Sequence, residues 1–172
     1  MNLFVIIIET IIFIGIFTAL VIIPAIKNPA VGIHNYPPEI QEEYFKTHKR
    51  IETSRLSART IIIKSFGIII FTVILSAGAI FAGADSFLDG FIFAGILFLI
   101  VGAWDTFFID WVLFANLKIF RLEGTENMDK EYSQKWFHVK GMIFSGSLFL
   151  VIISSLTGLI VTIVKSNFWN KK

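Results

Sequence analysis

The chain has 172 residues, is 55% hydrophobic and has a mean hydropathy of +0.76. Its 16% of charged residues, against about 25% in a typical soluble domain, cannot cover a water-soluble fold of this size. The surplus of Ile and Phe, with 19 Phe alone, must face something other than water, which marks an integral membrane protein. With no cysteine, disulfides, thiolate metal sites and iron–sulfur clusters are excluded, and a net charge of +2 is too even to suggest nucleic acid.

A bilayer core needs roughly 20 apolar residues of helix. Four stretches meet that requirement, at 2–26, 60–84, 87–117 and 141–164. The expected fold is therefore all-α: one polytopic membrane domain over 1–172, with four transmembrane helices in a bundle and two cytoplasmic interfacial helices. A β-barrel is disfavoured because barrel strands alternate polar and apolar residues. The first stretch carries Glu9, the second Lys64, the third Asp105 and Asp110, and the fourth no charge. The first lacks a basic leader and a small-residue cleavage site, so it reads as an uncleaved anchor. Small residues that let helices approach recur at Gly15 and Ala19, Gly78 and Ala82, Gly95 and Gly102, and Ser154, Gly158 and Thr162. Ser154, Ser155 and Thr157 offer a polar path, but such hydroxyls usually bond to their own helix.

All fifteen basic residues lie between or beside these stretches. Seven fall in loop 27–59 and its edges, none in the short link after the second stretch, five in loop 118–140 and its edges, and three at the C-terminus. Positive loops stay cytoplasmic, so both long loops are expected inside and both termini outside. The implied location is a membrane crossed several times, with the two long loops on its cytoplasmic side.

Loop 27–59 contains Asn35-Tyr36-Pro37-Pro38-Glu39, a helix start with proline in the first turn and an acid where the dipole favours one. Ile40, Tyr44, Ile51 and Arg55 follow at helical spacing, flanked by Phe45 and His48. The pattern predicts an amphipathic helix that lies among headgroups, with Tyr44 and Phe45 at the interface. Loop 118–140 turns at Gly124; Met128, Tyr132 and Trp136 then recur at i, i+4 and i+8, predicting a short helix leading into the fourth span. Trp136, Phe137 and His138, like Trp104 and Trp111, sit where an interfacial aromatic belt belongs.

A carboxylate in hydrocarbon costs several kcal/mol and needs a reason. On an α-helix, Asp105 and Asp110 would lie about 140° apart and face different directions. In one reading they end a long helix at the headgroups. In the other, Asp105, Asp110, Lys64 and His138 converge on a polar cluster at the cytoplasmic face that binds a phosphate headgroup, a metal or a proton. Glu9 lies on the opposite side of the midplane, so outer and inner carboxylates suggest a proton or cation path. No histidine sits in mid-span, and no zinc, phosphate-loop or dinucleotide motif occurs, so no cofactor and no metal site is expected.

The segments Trp104-Asp105, Phe108-Ile109-Asp110-Trp111, Arg121, Gly124-Thr125-Glu126, Met128 and Trp136-Phe137-His138-Val139-Lys140-Gly141, with Tyr36-Pro37-Pro38 and Ile40-Gln41, resemble a group of bacterial four-span integral membrane proteins that carries no assigned activity. The resemblance covers about a third of the chain. It implies that the aspartate pair and the Trp-Phe-His segment form one feature at the inner face, and it transfers no catalytic role.

Three function classes remain open. The first is a non-enzymatic accessory, scaffold or binding protein whose partners are membrane lipid, a second copy of the chain or a membrane partner protein. The second is a small proton- or cation-coupled transporter or channel using Glu9, Asp105 and Asp110. The third is a lipid-processing enzyme at the inner headgroup level, with His138 at its site.

Overall fold

A computed structural model describes residues 1–50 and 58–169, giving backbone only at 58–61, 63, 64, 145, 168 and 169. It is all-α, with no strand among the described residues. In chain order the helices are α1 (Leu3–Lys27), α2 (Pro38–Tyr44), α3 (Ala58–Phe81), α4 (Phe87–Trp104), α5 (Asp129–Tyr132), α6 (Lys135–Gly141) and α7 (Ser147–Trp169). Three helical stretches are long and apolar enough to cross a membrane: Leu3–Lys27, Phe87–Phe114 and Asp129–Asn167. A further apolar stretch, Ser65–Phe81, is shorter. This is the helix length and composition of a membrane protein.

The chain forms two compact units. One comprises Met1–Ile12, Thr53–Ile100 and Gly146–Lys172; the other comprises Phe13–Glu52 and Val101–Ser145.

In the first unit, large apolar side chains such as Leu3, Phe4, Phe81 and Leu148 point outward, while the buried positions are held by Leu75, Ala79, Ala94, Leu97, Ser154, Thr157 and Val161. That inversion is what a lipid-facing bundle requires, because small residues pack helix on helix and bulky ones meet the acyl chains. α3 packs along α7, and α4 approaches α7 closely at two glycines. A Cβ on Gly158 would sit 2.6 Å from the carbonyl oxygen of Phe87, and one on Gly90 would sit 3.0 Å from Cα of Gly158. Gly158 is in the small-residue seam expected from sequence; Gly90 is its unpredicted counterpart. The α3–α4 link turns at Gly83, whose φ of 89° favours glycine. Ser86 and Asp89 then cap α4 reciprocally, Ser86 Oγ donating to Asp89 Oδ2 at 2.8 Å and accepting from Asp89 N–H at 3.2 Å. Asn2 ties the start of α1 to this turn, its N–H donating to the Ala82 carbonyl at 2.6 Å while its Oδ1 accepts from Phe4 N–H at 3.0 Å.

The second unit has an apolar core of its own, built from Ile33, Tyr36, Ile40, Leu122 and Tyr132. Two expectations are corrected here. The amphipathic helix starting at Pro38 ends at Tyr44, where the Phe45 N–H closes back on Gln41 and Glu43 carbonyls. Its continuation through Ile51 and Arg55 lies outside the described residues. Its apolar stripe meets protein, with Ile40 fully buried beside Leu122 and Tyr132. The helix predicted through Met128, Tyr132 and Trp136 is two short helices, α5 and α6. The break falls at Gln134, whose backbone is non-helical (φ −73°, ψ 73°) and whose N–H turns to the Glu131 carbonyl while Lys135 N–H bonds to the Ser133 carbonyl. Tyr132 is therefore buried and Trp136 is 72% exposed.

Hydrogen bonds fix this core. Tyr36 Oη donates to the Phe120 carbonyl at 2.9 Å, and Tyr132 Oη accepts from Leu122 N–H at 2.9 Å. Arg121, whose side chain is 3% exposed, donates to the Ala115 carbonyl at 2.9 Å, pairs with Asp129 at 3.0 Å and lies 3.8 Å over the Tyr132 ring. Burial, with Tyr132 and Asp110 nearby, pushes the Tyr36 phenol well above its usual pKa; the Arg121 charge opposes this without reversing it.

Two predictions follow from this packing. Gly158→Ala forces α4 and α7 apart against backbone and costs about 1–3 kcal/mol in reversible unfolding in detergent. Gly95→Ala meets only Ser154 Oγ at 3.4 Å and changes stability by less than about 0.5 kcal/mol. For Tyr36, a raised folded-state pKa means that its stabilising contribution is whole below the free phenol value of about 10 and is lost as pH rises toward the folded value. Tyr36→Phe therefore removes that alkaline loss of stability, while the abandoned Phe120 carbonyl costs about 1–3 kcal/mol at neutral pH.

Candidate functional site

Beyond Trp104 the helix changes its hydrogen bonding. Asp105–Phe114 is π-helical, ending with the Ala115 N–H on the Asp110 carbonyl, a span of five residues. In that geometry residues five apart return to one side. The α-helical expectation that Asp105 and Asp110 diverge is thus corrected: the π segment carries both aspartates on one face. A second π segment, Met142–Gly146, continues α6. The two segments meet where Thr106 Oγ1 donates to Met142 Sδ at 3.5 Å and Gly102 approaches Met142. Such π turns cost hydrogen-bond geometry and concentrate at functional sites.

α6 packs against the first π segment and delivers His138 to it. His138 Nδ1 lies 2.9 Å from Asp110 Oδ2, with the two side chains 13% and 20% exposed. Phe137 covers the imidazole edge-on. The result is a half-buried acid–imidazole pair able to share a proton, with Asp105 one π turn before Asp110. Among the described residues no group of three His, Asp or Glu is arranged to hold a metal ion.

Of the residues expected to converge, Asp110 and His138 meet at 2.9 Å, and Asp105 shares the π segment with Asp110. The Lys64 side chain lies outside the described residues, and Lys140 is exposed on a groove with Pro38 and Glu39. The aromatic residues divide by role. Trp104 Nε1 donates to Thr18 Oγ1 at 3.0 Å and its ring stacks on Phe108, so it joins helices inside the unit. Trp111 Nε1 donates to the Lys135 carbonyl at 3.2 Å, and the Lys135 ammonium lies 5.2 Å over its ring, which holds α6 on the π segment. Tyr44 stacks on His48 and meets the Phe45 ring edge-on, and Arg50 lies 5.4 Å over Phe45. Trp136 alone of these five is largely exposed.

Sequence reasoning missed Thr18, the hydrogen-bond partner of Trp104, and the burial of Arg121. A charge set inside the apolar run Ile119-Phe120-Arg121-Leu122 was the available signal. Thr18 carries none, since its hydroxyl also bonds to its own helix at Ile14.

Glu9 belongs to the first unit, apart from these residues. Its carboxylate lies against Gly78, where an added Cβ would be 3.3 Å from Oε1, and its buried Oε2 has no hydrogen-bond partner among the described residues. Thr72, Ser154 and Thr157 in the same unit also have buried, unpartnered hydroxyls. Thr10, Ser76 and Thr162 close onto their own helices in the usual way.

No family model, curated protein or solved structure matches the chain.

The His138–Asp110 contact predicts a coupled pair. His138→Ala is expected to cost about 1–3 kcal/mol by leaving a half-buried carboxylate unpartnered. Asp110→Asn added to it is expected to cost little more. A double-mutant cycle read by unfolding in detergent measures this, and additive losses would show that the two groups do not interact.

Proposed function

We propose that the chain is a four-helix bundle of the bacterial cytoplasmic membrane, with both long loops inside and both termini outside. In this reading it works as a non-enzymatic accessory or binding protein whose inner-face surface answers to the charge of the Asp105–Asp110–His138 cluster. Basic residues confined to the two loops and the C-terminus support the orientation. The resemblance to bacterial four-span proteins agrees with the span count.

The observation that carries the function is the folded inner segment. Residues from the first loop (Ile33, Tyr36, Ile40) and the second (Leu122, Tyr132) share one core, locked by Tyr36 Oη on the Phe120 carbonyl and by the buried Arg121. Loops that merely connected spans would not need a core. A preformed surface is what binding a partner without a large ordering cost requires. The aspartates of the cluster are on the π segment, and Phe114 at the end of that segment stacks on Phe120 and packs against Tyr36. A change of proton or cation on the cluster thus has a short mechanical route to the surface.

A specific observation favours transport as a second reading. The unpartnered Glu9 oxygen and the unpartnered hydroxyls of Thr72, Ser154 and Thr157 are the kind of group that lines an ion path.

Native mass spectrometry of protein released in mild detergent tests the first reading. Wild type is expected to retain a partner protein or a second copy. Asp105→Asn, which alters the cluster's charge, and Tyr36→Phe, which loosens the platform, are expected to retain less. A bare chain in all three would remove the reading. Proton or solute flux in sealed vesicles, abolished by Glu9→Gln and Asp105→Asn, would put transport in its place.

A further inference from the structure

A groove of about 590 Å³ opens in the second unit between the start of α2 and the whole of α6, lined by Pro38, Glu39, Lys135, Trp136, Phe137 and Lys140. Three features distinguish it from an ordinary surface dent. Its wall includes Trp136, a large aromatic that is 72% exposed. Trp136 and Lys140 lie one turn apart on α6, and Ile143 and Phe144 are exposed on the π segment that continues it, so exposed apolar side chains precede and follow the cation along the chain. Finally, the groove carries both signs of charge. Lys140 makes no ion pair among the described residues, and the Lys135 ammonium is engaged only with the Trp111 ring. The groove lining also includes the exposed Glu39.

Water is a poor occupant for that surface and an inorganic anion a poor one for Glu39. A molecule with a long apolar part, a phosphate diester and an ammonium group satisfies all three features. The apolar part covers Trp136, Ile143 and Phe144, the phosphate meets the lysines, and the ammonium donates to Glu39. We propose that this groove binds the headgroup of an aminophospholipid, a phosphate diester bearing a primary ammonium. The proposal rests on the membrane reading above, since α6 runs on through Met142–Gly146 into a candidate span. It goes beyond that reading in naming the lipid class and the residues.

The charge pattern makes the selectivity specific. A quaternary choline headgroup has no N–H to give Glu39, and a glycerol headgroup has no cation at all. Titration of the detergent-solubilised full chain with phosphatidylethanolamine, phosphatidylcholine and phosphatidylglycerol of one acyl composition, read by native mass spectrometry, separates the cases. Wild type is expected to retain phosphatidylethanolamine about threefold better than phosphatidylcholine. Glu39→Gln is expected to erase that preference. Lys140→Gln is expected to weaken all three lipids by about fivefold, because all three carry the phosphate. Glu39 and Lys140 are both exposed, and an unchanged unfolding curve confirms that each variant folds.

Phosphatidylglycerol retained above phosphatidylethanolamine would overturn the proposal in favour of a simple basic surface. So would an unaltered preference in Glu39→Gln, or competition by water-soluble glycerophosphoethanolamine at the same concentration as the lipid. A chain that fractionates with membranes yet shows any of these results loses the proposal and keeps the membrane reading. A chain that fractionates away from membranes loses both.

Discussion

Between Asp105 and Ala115 the backbone hydrogen bonds close over five residues rather than four, and much of the second unit is arranged around that change. The wider turn carries Asp105 and Asp110 on one face. It also holds Trp111 where α6 can bond to it through the Lys135 carbonyl, and that attachment brings His138 to Asp110. At its far end the same segment delivers Phe114 onto Phe120 and Tyr36, at the edge of the core that joins the two loops. One irregularity in a helix therefore positions a charged cluster and a folded surface together. Irregular backbone is tolerated at membrane depth where neighbouring protein satisfies it, and here Thr106, Met142 and α6 supply that neighbour.

The two units solve different problems. The first packs helices through small residues and turns its bulky side chains outward, which a bilayer rewards and water would penalise. Its polar groups are few, and the hydroxyls of Thr10, Ser76, Thr162 and Ser166 close onto their own helices. Glu9, Thr72, Ser154 and Thr157 depart from that rule and are the polar atoms there that want a partner. The second unit is built the other way round, with tyrosines and an arginine buried and hydrogen-bonded. A buried guanidinium is costly unless paired, and Asp129, the Ala115 carbonyl and the Tyr132 ring offset that cost. Its Nε and Nη1 have no partner among the described residues, so Arg121 organises the loops without being fully satisfied.

Two broken patterns explain the difference between the expected and observed loop segments. Periodicity through Tyr132 and Trp136 cannot see the non-helical backbone at Gln134, and the break sends one aromatic into the core and leaves the other exposed. The apolar stripe of α2 is real, but nothing in loop 27–59 reveals that Leu122 and Tyr132, more than eighty residues away, cover it.

Composition and hydropathy alone determined that the protein is helical and made for a membrane, because the balance of apolar and charged residues leaves no other solvent for its surface. They also singled out Asp105, Asp110 and His138, since a charge in an apolar helix needs a reason wherever it falls. Only the tertiary structure decided that Asp110 meets His138 and that a π segment carries both aspartates. A π turn follows from packing along both sides of a helix, and a spacing rule that assumes 3.6 residues per turn sends the two aspartates apart. It likewise decided that Trp104 and Trp111 fasten helices while Trp136 stays exposed. An indole at the end of an apolar run looks the same in sequence whether its N–H meets Thr18, the Lys135 carbonyl or solvent.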